Sequence, residues 1–172
     1  MFVKKLVDSL ERFGRMLPII VNDIGDDDRK WKPPSGNWSI HEIVCHLADE
    51  EEFDFPVRTR STLEKPQQPW PKIDPEGWAI ERDYLGLTFE EQLSRFLFER
   101  NRSMEWLKSL ENSDWNQAYE HPEFGPFRAG DILAAWAAHD WLHLRQISKR
   151  LYEIAGRDGQ PFSNRYAGDW TA

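Results

Sequence analysis

Two stretches of the sequence decide the fold: Ala137–Ile147, which reads AAHDWLHLRQI, and Trp38–Leu47, which reads WSIHEIVCHL. His139 and His143 are four residues apart, so on a helix they project from the same face about one turn apart. This is the geometry with which two imidazoles reach one metal ion. A third histidine from a distant helix would complete a set that leaves coordination positions open for water or substrate, as catalytic sites do.

The composition bounds the class of protein. We expect residues 1–172 to form a single domain, since this length suffices for one well-packed core. The net charge of -8, without a block of Lys or Arg, argues against nucleic acid as a partner. No apolar run approaches the ~20 residues of a membrane span, and the N-terminus lacks the pattern of a signal peptide. We therefore expect a cytoplasmic protein that acts on a small molecule, with no membrane partner.

Apolar residues at steps of three and four predict four helices. The predicted helices cover residues 2–21, 39–63, 88–110 and 130–155. The clearest start is Ser39, an N-cap whose capping-box partner Glu42 follows three residues later. Gly156 is a natural left-handed C-cap for the last helix. The Pro- and Gly-rich segments between the helices are expected to be loops and cover residues 22–37, 65–86 and 112–130. The fold class is therefore all-α, a four-helix bundle with a long crossover between the second and third helices.

Two charged residues fall in the middle of apolar stripes, where a charge must be paired, reach water or meet a ligand. Arg100 lies in the stripe of the third helix and Asp140 in that of the fourth. We expect these two helices to be antiparallel neighbours and the two side chains to form a buried pair. The alternatives are that Arg100 reaches solvent or a substrate anion, and that Asp140 orients a histidine.

Three of the five histidines lie at the edge of a predicted apolar helix face, whereas the other two have no evident part in a site. On the four-residue spacing alone, hydrogen-bonded imidazoles at the core edge are the simpler interpretation, and the position of His46 on the flank of the second helix adds weight to a metal site. Two features argue against a zincin peptidase with its motif H-E-x-x-H: Asp140 stands in place of the glutamate, and no histidine follows His143. The residues expected around the pocket are Asp140, Arg100, Gln146, Glu50 and Trp136.

Two segments carry a resemblance to a known family. Residues 38–47 resemble the W-[ST]-x-x-E-x-x-x-H-L segment of the DinB-like (DinB/YfiT-like) superfamily, and HDWLHLRQI at 139–147 resembles its closing H-D-x-x-H-x-x-Q-I segment. The resemblance implies an up-down-down-up bundle and a divalent metal, Zn²⁺ or Ni²⁺. It also implies a possible homodimer. Carried over position by position, the metal ligands are His46, His139 and His143.

The resemblance leaves the reaction open, since the family is divided in chemistry. It includes transferases and isomerases that use low-molecular-weight thiols such as bacillithiol, beside proteins described as metal-dependent hydrolases. Our leading hypothesis is an enzyme in which the metal lowers the pKa of a bound water or of a thiol cosubstrate. The rival is a non-catalytic small-molecule-binding or stress-response module. Cys45 is expected to point away from the pocket and to take no part.

Two further expectations concern segments outside the predicted helices. Residues 65–86 contain Trp70 and Trp78, and we expect this connection to cover the metal pocket as a lid; equally, its tryptophans could cap the core. The turn-rich tail, residues 156–172, is expected to dock on the bundle through Phe162, Tyr166 and Trp170.

Overall fold

Long helices form the body of the protein, and the connections between them carry shorter elements. The computed structural model describes residues 2–170. Its elements are α1 (Phe2–Val21), α2 (Asp26–Lys30), α3 (Ile40–Phe53), α4 (Phe55–Glu64), α5 (Pro75–Glu81), a 3₁₀ turn (Tyr84–Gly86), α6 (Phe89–Ser109), β1 (Ala118–His121), β2 (Gly125–Arg128), α7 (Ala129–Asp158) and a 3₁₀ turn (Arg165–Ala167). The bundle consists of α1, the consecutive pair α3 and α4, α6 and α7.

The second and third helices of the bundle are parallel, as a long crossover requires. His41, early in α3, packs on Phe89 at the start of α6, while Glu51, late in α3, meets Arg100 farther along α6. The predicted crossover between these helices is confirmed. The connection from α4 to α6 returns the chain to the end of the bundle at which α3 began.

The first and last helices are also parallel, which completes the up-down-down-up order. Phe2 lies beside Gly130 near the start of α7, and two to three turns farther along the helices Ser9 Oγ accepts a hydrogen bond from the Trp141 indole. Both α1 and α3 pack against both α6 and α7. The helices α6 and α7 are therefore diagonally opposite each other in the bundle.

The predicted start of the second helix is confirmed, and its predicted length needs a correction. Ser39 Oγ accepts from the Glu42 N–H at 3.2 Å, and the Glu42 carboxylate accepts from the Ser39 N–H at 2.8 Å, which is a complete capping box. The helix does not continue unbroken to residue 63, because it is interrupted at Asp54 between α3 and α4. Pro56 causes this break, since it has no N–H to donate to the carbonyl four residues earlier and its ring clashes with that carbonyl.

The three segments expected to be loops contain short regular elements. The first contains α2, and the second contains α5 and a 3₁₀ turn. The third forms a two-stranded antiparallel hairpin in which Tyr119 lies opposite Phe127. Its strands have four residues each, too few to show a clear alternation of apolar and polar residues. Gly125 begins β2 at φ +76°, a conformation that glycine adopts without steric cost.

The last helix and the tail depart from the prediction. α7 runs through Gly156 to Asp158, so Gly156 is not its C-cap. A single glycine inside a helix costs only about 1 kcal/mol, and Arg157 holds the last turn by pairing with Asp28 and Asp158.

The tail contacts the bundle at one aromatic residue, not three. Trp170 packs on Tyr152 of α7, whose hydroxyl donates to the Gly168 carbonyl at 2.8 Å. Phe162 is 79% exposed and Tyr166 is fully exposed, so the docking expected of these two residues is wrong. A spacing of four places side chains on one face only in an α-helix, and here the chain makes only a 3₁₀ turn.

Arg100 lies at the centre of the bundle and contacts all three other helices. Its guanidinium donates to both carboxylate oxygens of Asp140 on α7 at 2.8 and 2.9 Å, and to the Leu10 carbonyl of α1 at 2.9 Å. It also lies 2.8 Å from the carboxylate of Glu51 on α3. The predicted pair of Arg100 and Asp140 is confirmed, although their helices are diagonal partners and not neighbours. Glu51 is a third member that the sequence did not predict.

The charges of this cluster are held between two apolar cores. The guanidinium lies 4.9 Å from the ring of Phe96, which belongs to one core, and 5.7 Å from the ring of Trp136, which belongs to the other. Burial raises the pKa of Asp140 to about 6, while Arg100 acts to lower it. Within residues 2–170, no helix has the length and hydropathy needed to cross a bilayer.

We expect Arg100→Met to lower the free energy of unfolding by about 3–5 kcal/mol, because two buried carboxylates lose their counterion. Urea denaturation measures this loss. Arg102→Met is the matched control: Arg102 is on the same helix and pairs with Glu99, but it is exposed, so its removal should cost less than about 1 kcal/mol. A double-mutant cycle with Asp140→Asn that shows no coupling between the two sites would contradict the role of this pair.

Candidate metal centre

Three histidines converge where α3 packs against α7. These helices are antiparallel, so His46 of α3 faces the pair His139 and His143 of α7. The Nε2 atom of His139 lies 3.4 Å from Nε2 of His46 and 2.9 Å from Nε2 of His143. The three residues carried over from the family resemblance are therefore brought together by the fold.

The donor atoms of this cluster have the spacing that a small divalent ion requires. One nitrogen from each side chain lies within 4.8 Å of the others. Nitrogen ligands about 2.0–2.1 Å from a tetrahedral ion are about 3.3 Å apart, and the Nε2 separations of 2.9 and 3.4 Å lie on either side of that value. Three imidazoles suit zinc, nickel and similar ions. The residues present therefore fit a divalent transition metal.

The three imidazoles are in the neutral form that binds a metal. Burial, followed by the nearby His143 and His139, lowers the pKa of His46 to about 2. Burial is also the main cause that lowers the pKa of His139 to about 3 and that of His143 to about 4. A neutral imidazole has a free lone pair on one ring nitrogen, whereas a protonated one has none.

Two polar side chains lie at the outer nitrogens of the histidines. The Nδ1 atom of His143 lies 2.8 Å from Gln146 Oε1, which can only accept, so Nδ1 carries the proton and Nε2 is left with the lone pair. The Nδ1 atom of His46 is 3.9 Å from Glu50 Oε1, and both atoms are buried without a hydrogen-bond partner. Burial, followed by the charge of Asp54, raises the pKa of Glu50 to about 9. Such outer contacts orient metal-binding imidazoles in general.

Aromatic rings enclose the sides of the cluster. The Trp38 indole packs on His46 at a centroid distance of 4.9 Å, and Phe55 packs on His139 at the same distance. Phe55 is in turn stacked on the buried ring of Trp136. These rings limit the directions from which water reaches the histidine nitrogens.

A cleft of about 640 Å³ opens beside the cluster. Trp38, which packs on His46, and Gln146, which bonds His143, are shared between the cluster and the cleft. The histidines themselves are not part of its wall. Its lining residues are Gly36, Asn37, Trp38, Ile43, Glu76, Leu142, Arg145, Gln146, Lys149 and Arg150.

The five residues expected around the pocket divide into two groups. Glu50 and Gln146 lie beside the histidines, as described above. Arg100, Asp140 and Trp136 belong to the centre of the bundle and do not line the cleft. Arg100 and Asp140 are paired with each other, and the Trp136 indole donates to the carboxylate of Glu51 at 3.1 Å.

The sequence did not predict the contacts of Phe55. The residue that could have indicated them is Pro56. It interrupts the helix and redirects the chain at α4, which brings Phe55 against His139 and Trp136. The inward direction of Glu51 had no comparable signal, since it lies in a run of three glutamates.

Neither Trp70 nor Trp78 lies over the cleft beside the histidines, so the position expected of both tryptophans is wrong. Trp70 stacks on Tyr119 of the hairpin, with ring centroids 4.4 Å apart, and Trp78 packs on Phe53. Both are half-buried and neither lines the cleft. The connection from residue 65 to 86 does reach the cleft, through Glu76 of α5.

The remaining histidines and the cysteine lie outside the cluster, as expected. His41 is buried against Phe89, and His121 stacks on Phe124 of the hairpin. The Cys45 thiol is buried beside the Tyr84 carbonyl, and burial raises its pKa to about 12. A thiol with so high a pKa has almost no reactive thiolate near neutral pH.

Comparison of the sequence with known proteins gives consistent results. The family model of the DinB superfamily matches residues 9–147. Two proteins from Oceanobacillus iheyensis, each named "Putative metal-dependent hydrolase", are 25% identical over 146 residues and 23% identical over 154 residues. The first alignment covers 85% of this chain and 84% of the relative, and the second covers 90% and 88%.

Comparison of the fold with solved structures gives a result that agrees with the sequence comparison. The structure is similar to one described as "YfiT from Bacillus subtilis is a probable metal-dependent hydrolase with an unusual four-helix bundle topology". The TM-score is 0.79 at 18% sequence identity, and the match covers 89% of this chain and 87% of that chain. This likeness shows the shared bundle.

We predict that untagged protein purified without added metal contains about one divalent transition-metal ion per chain. His143→Ala should lose most of this metal, because it removes one of three donors. His121→Ala, which removes a histidine of the hairpin, should keep it. Elemental analysis of the three proteins checks this, and equal metal content in all of them would contradict the site.

Gln146→Leu should weaken metal binding by about 10–100-fold at nearly unchanged stability, because Gln146 is exposed and acts by orienting His143. Gln146→Glu is the control, since it keeps an acceptor oxygen for the Nδ1 proton. Competition with a chromophoric chelator measures the affinities. Identical affinities for the leucine variant and the wild type would show that the hydrogen bond has no orienting role.

Proposed function

Because the chain belongs to the DinB superfamily, we propose that it is a metal-dependent hydrolase of a small molecule whose divalent ion is held by His46, His139 and His143. The observation that supports this most strongly is the convergence of three neutral imidazoles beside an open cleft. The names of the relatives from Oceanobacillus iheyensis agree with hydrolysis. Zn²⁺ and Ni²⁺ are the ions that this donor set favours.

The arrangement has the features of a catalytic metal site and not of a closed structural one. Three protein ligands leave at least one coordination position for water or substrate. A divalent ion held by the three histidines would lower the pKa of a water molecule and so supply a nucleophile near neutral pH. Both helices that carry the histidines are also tied to Arg100, so a metal ion would not be the only group that joins them.

The residues around the histidines have separate tasks in this proposal. Gln146 holds the proton of His143 on Nδ1, which keeps the lone pair of Nε2 free. Trp38 and Phe55 exclude bulk water from the sides of the imidazoles, where a lower local dielectric strengthens electrostatic interactions. The substrate would enter from the cleft, which Trp38 and Gln146 border.

Transfer of a low-molecular-weight thiol is the competing reaction at the same centre. The chain supplies no reactive thiol of its own, because Cys45 is buried with a raised pKa. A thiol would therefore come from a cosubstrate such as bacillithiol or glutathione. A folded protein that binds metal but turns over neither class of substrate would be the non-catalytic module.

We expect metal-loaded protein to hydrolyse at least one member of a panel of activated esters, amides and phosphoesters, and metal-free protein to be inactive until Zn²⁺ or Ni²⁺ is restored. His139→Ala should lower kcat/KM more than about 100-fold, since metal catalysis contributes several kcal/mol. His41→Ala, outside the centre, is the control. The same protein is tested with an electrophile plus bacillithiol or glutathione, and turnover only in that arm would replace hydrolysis with thiol transfer.

A further inference from the structure

The cleft beside the histidines has a charge opposite to that of the whole protein. The chain carries a net charge of -8. In the wall of the cleft, however, Arg145, Lys149 and Arg150 are basic and only Glu76 is acidic. A concave site lined by one sign of charge concentrates ligands of the other sign. The cleft is therefore suited to an anion, in a protein that otherwise repels anions.

The basic residues are a continuation of the metal centre along α7. His139, His143, Gln146 and Arg150 follow one another at steps of four, three and four, so they form a single row on the helix. Arg145 is four residues before Lys149, and the two share an adjacent row. With a rise of about 1.5 Å per residue, Arg150 lies about 10 Å along the helix from His143, which is the length of a small metabolite.

Arg150 is the most buried of the three cations. Its side chain is 4% exposed, and its Nη1 lies 2.8 Å from the Glu153 carboxylate, yet neither Nη1 nor Nε makes a hydrogen bond. A guanidinium has five N–H donors, and in the interior these are ordinarily all used. An anionic oxygen in the cleft would accept from donors that this single carboxylate leaves free.

The cleft also has a hydrogen-bond donor at its end nearest the histidines, in the side chain of Gln146. Gln146 uses its amide oxygen to accept from His143, so its NH₂ group is the part left to bind a ligand. Trp38 supplies an aromatic wall on the same side. A molecule that reaches from Arg150 to the histidines thus meets cations first, then an amide donor, then the imidazole nitrogens.

We propose that this cleft binds the anionic group, a carboxylate or a phosphate, of a substrate whose reactive bond lies at the histidine centre. The inference rests on the proposed function for the position of the reactive bond. The site for the anion depends only on the residues of the cleft. Glu76, on the connection between α4 and α6, opposes the cations and so tunes the affinity for the anion.

The test is isothermal titration calorimetry of the protein as purified, with succinate and with inorganic phosphate as probes. Succinamide, which has the size of succinate without its charge, is the neutral control. Both anions should bind, more weakly at high salt, and their relative affinities show whether a carboxylate or a phosphate is preferred. Metal content is measured in every sample. Only samples with equal metal content are compared, so that any binding of the anion to the metal ion contributes equally throughout the series.

Four variants separate the cleft from general charge effects. Arg145→Met combined with Lys149→Met should weaken anion binding about fivefold or more, since each exposed charge contributes modestly. Arg150→Met should weaken it about tenfold or more, because a buried charged hydrogen bond is lost. Glu76→Gln should tighten binding. Arg102→Met removes one positive charge from α6, in a pocket that shares no residue with the cleft, and should leave the affinity unchanged.

The outcomes distinguish this inference from the proposed function. Equal affinity of wild type and the Arg145/Lys149 double variant, or no binding of either anion, overturns the cleft as an anion site whatever the buried Arg150 variant does. Cleft-dependent binding without any metal-dependent turnover overturns the proposed function and leaves the anion site standing. Hydrolysis of an anionic substrate with unchanged KM in the double variant overturns this inference alone.

Discussion

The buried charge of Arg100 is the constraint on which the rest of the structure depends. A guanidinium in the centre of a bundle must be paired, and its partners here come from α1, α3 and α7. Asp140 is the residue next to His139, and Glu51 lies five residues after His46 on α3. The same pairing that satisfies Arg100 therefore fixes the depth of α3 against α7. With that depth fixed, His46 arrives at the level of the two histidines on α7.

Most of the bundle could be predicted from local sequence patterns, and the histidine cluster from the family resemblance together with the place of His46 on the flank of its helix. The apolar periodicity located the long helices, and the capping box located the start of α3. The pair of Arg100 and Asp140 followed from their places in apolar stripes. Other features depend on long-range packing. Periodicity does not tell which helix lies across the diagonal, nor which of three consecutive glutamates points inward to Arg100. The hairpin was missed because its strands are too short for a pattern.

The site joins two environments with different physical roles. Around the histidines, burial holds the pKa values low, so the repulsion that protonated imidazoles would exert on a cation is absent near neutral pH. In the cleft, Arg145 and Lys149 are basic and at least partly exposed, so in our proposal they attract an anionic ligand. The first environment is formed where α3 packs against α7. The second comes from side chains late in α7 and from the connection before α6. In our proposal, the choice of substrate is therefore separable from the binding of metal.

The measurement that tests the account most directly is anomalous X-ray diffraction from crystals of the protein, recorded on both sides of the absorption edge of the metal found by elemental analysis. The account predicts one strong anomalous peak per chain, about 2.0–2.2 Å from the Nε2 atoms of all three histidines, His46, His139 and His143. A peak bound by other residues, or no peak beside histidines that are hydrogen-bonded only to one another, would contradict it.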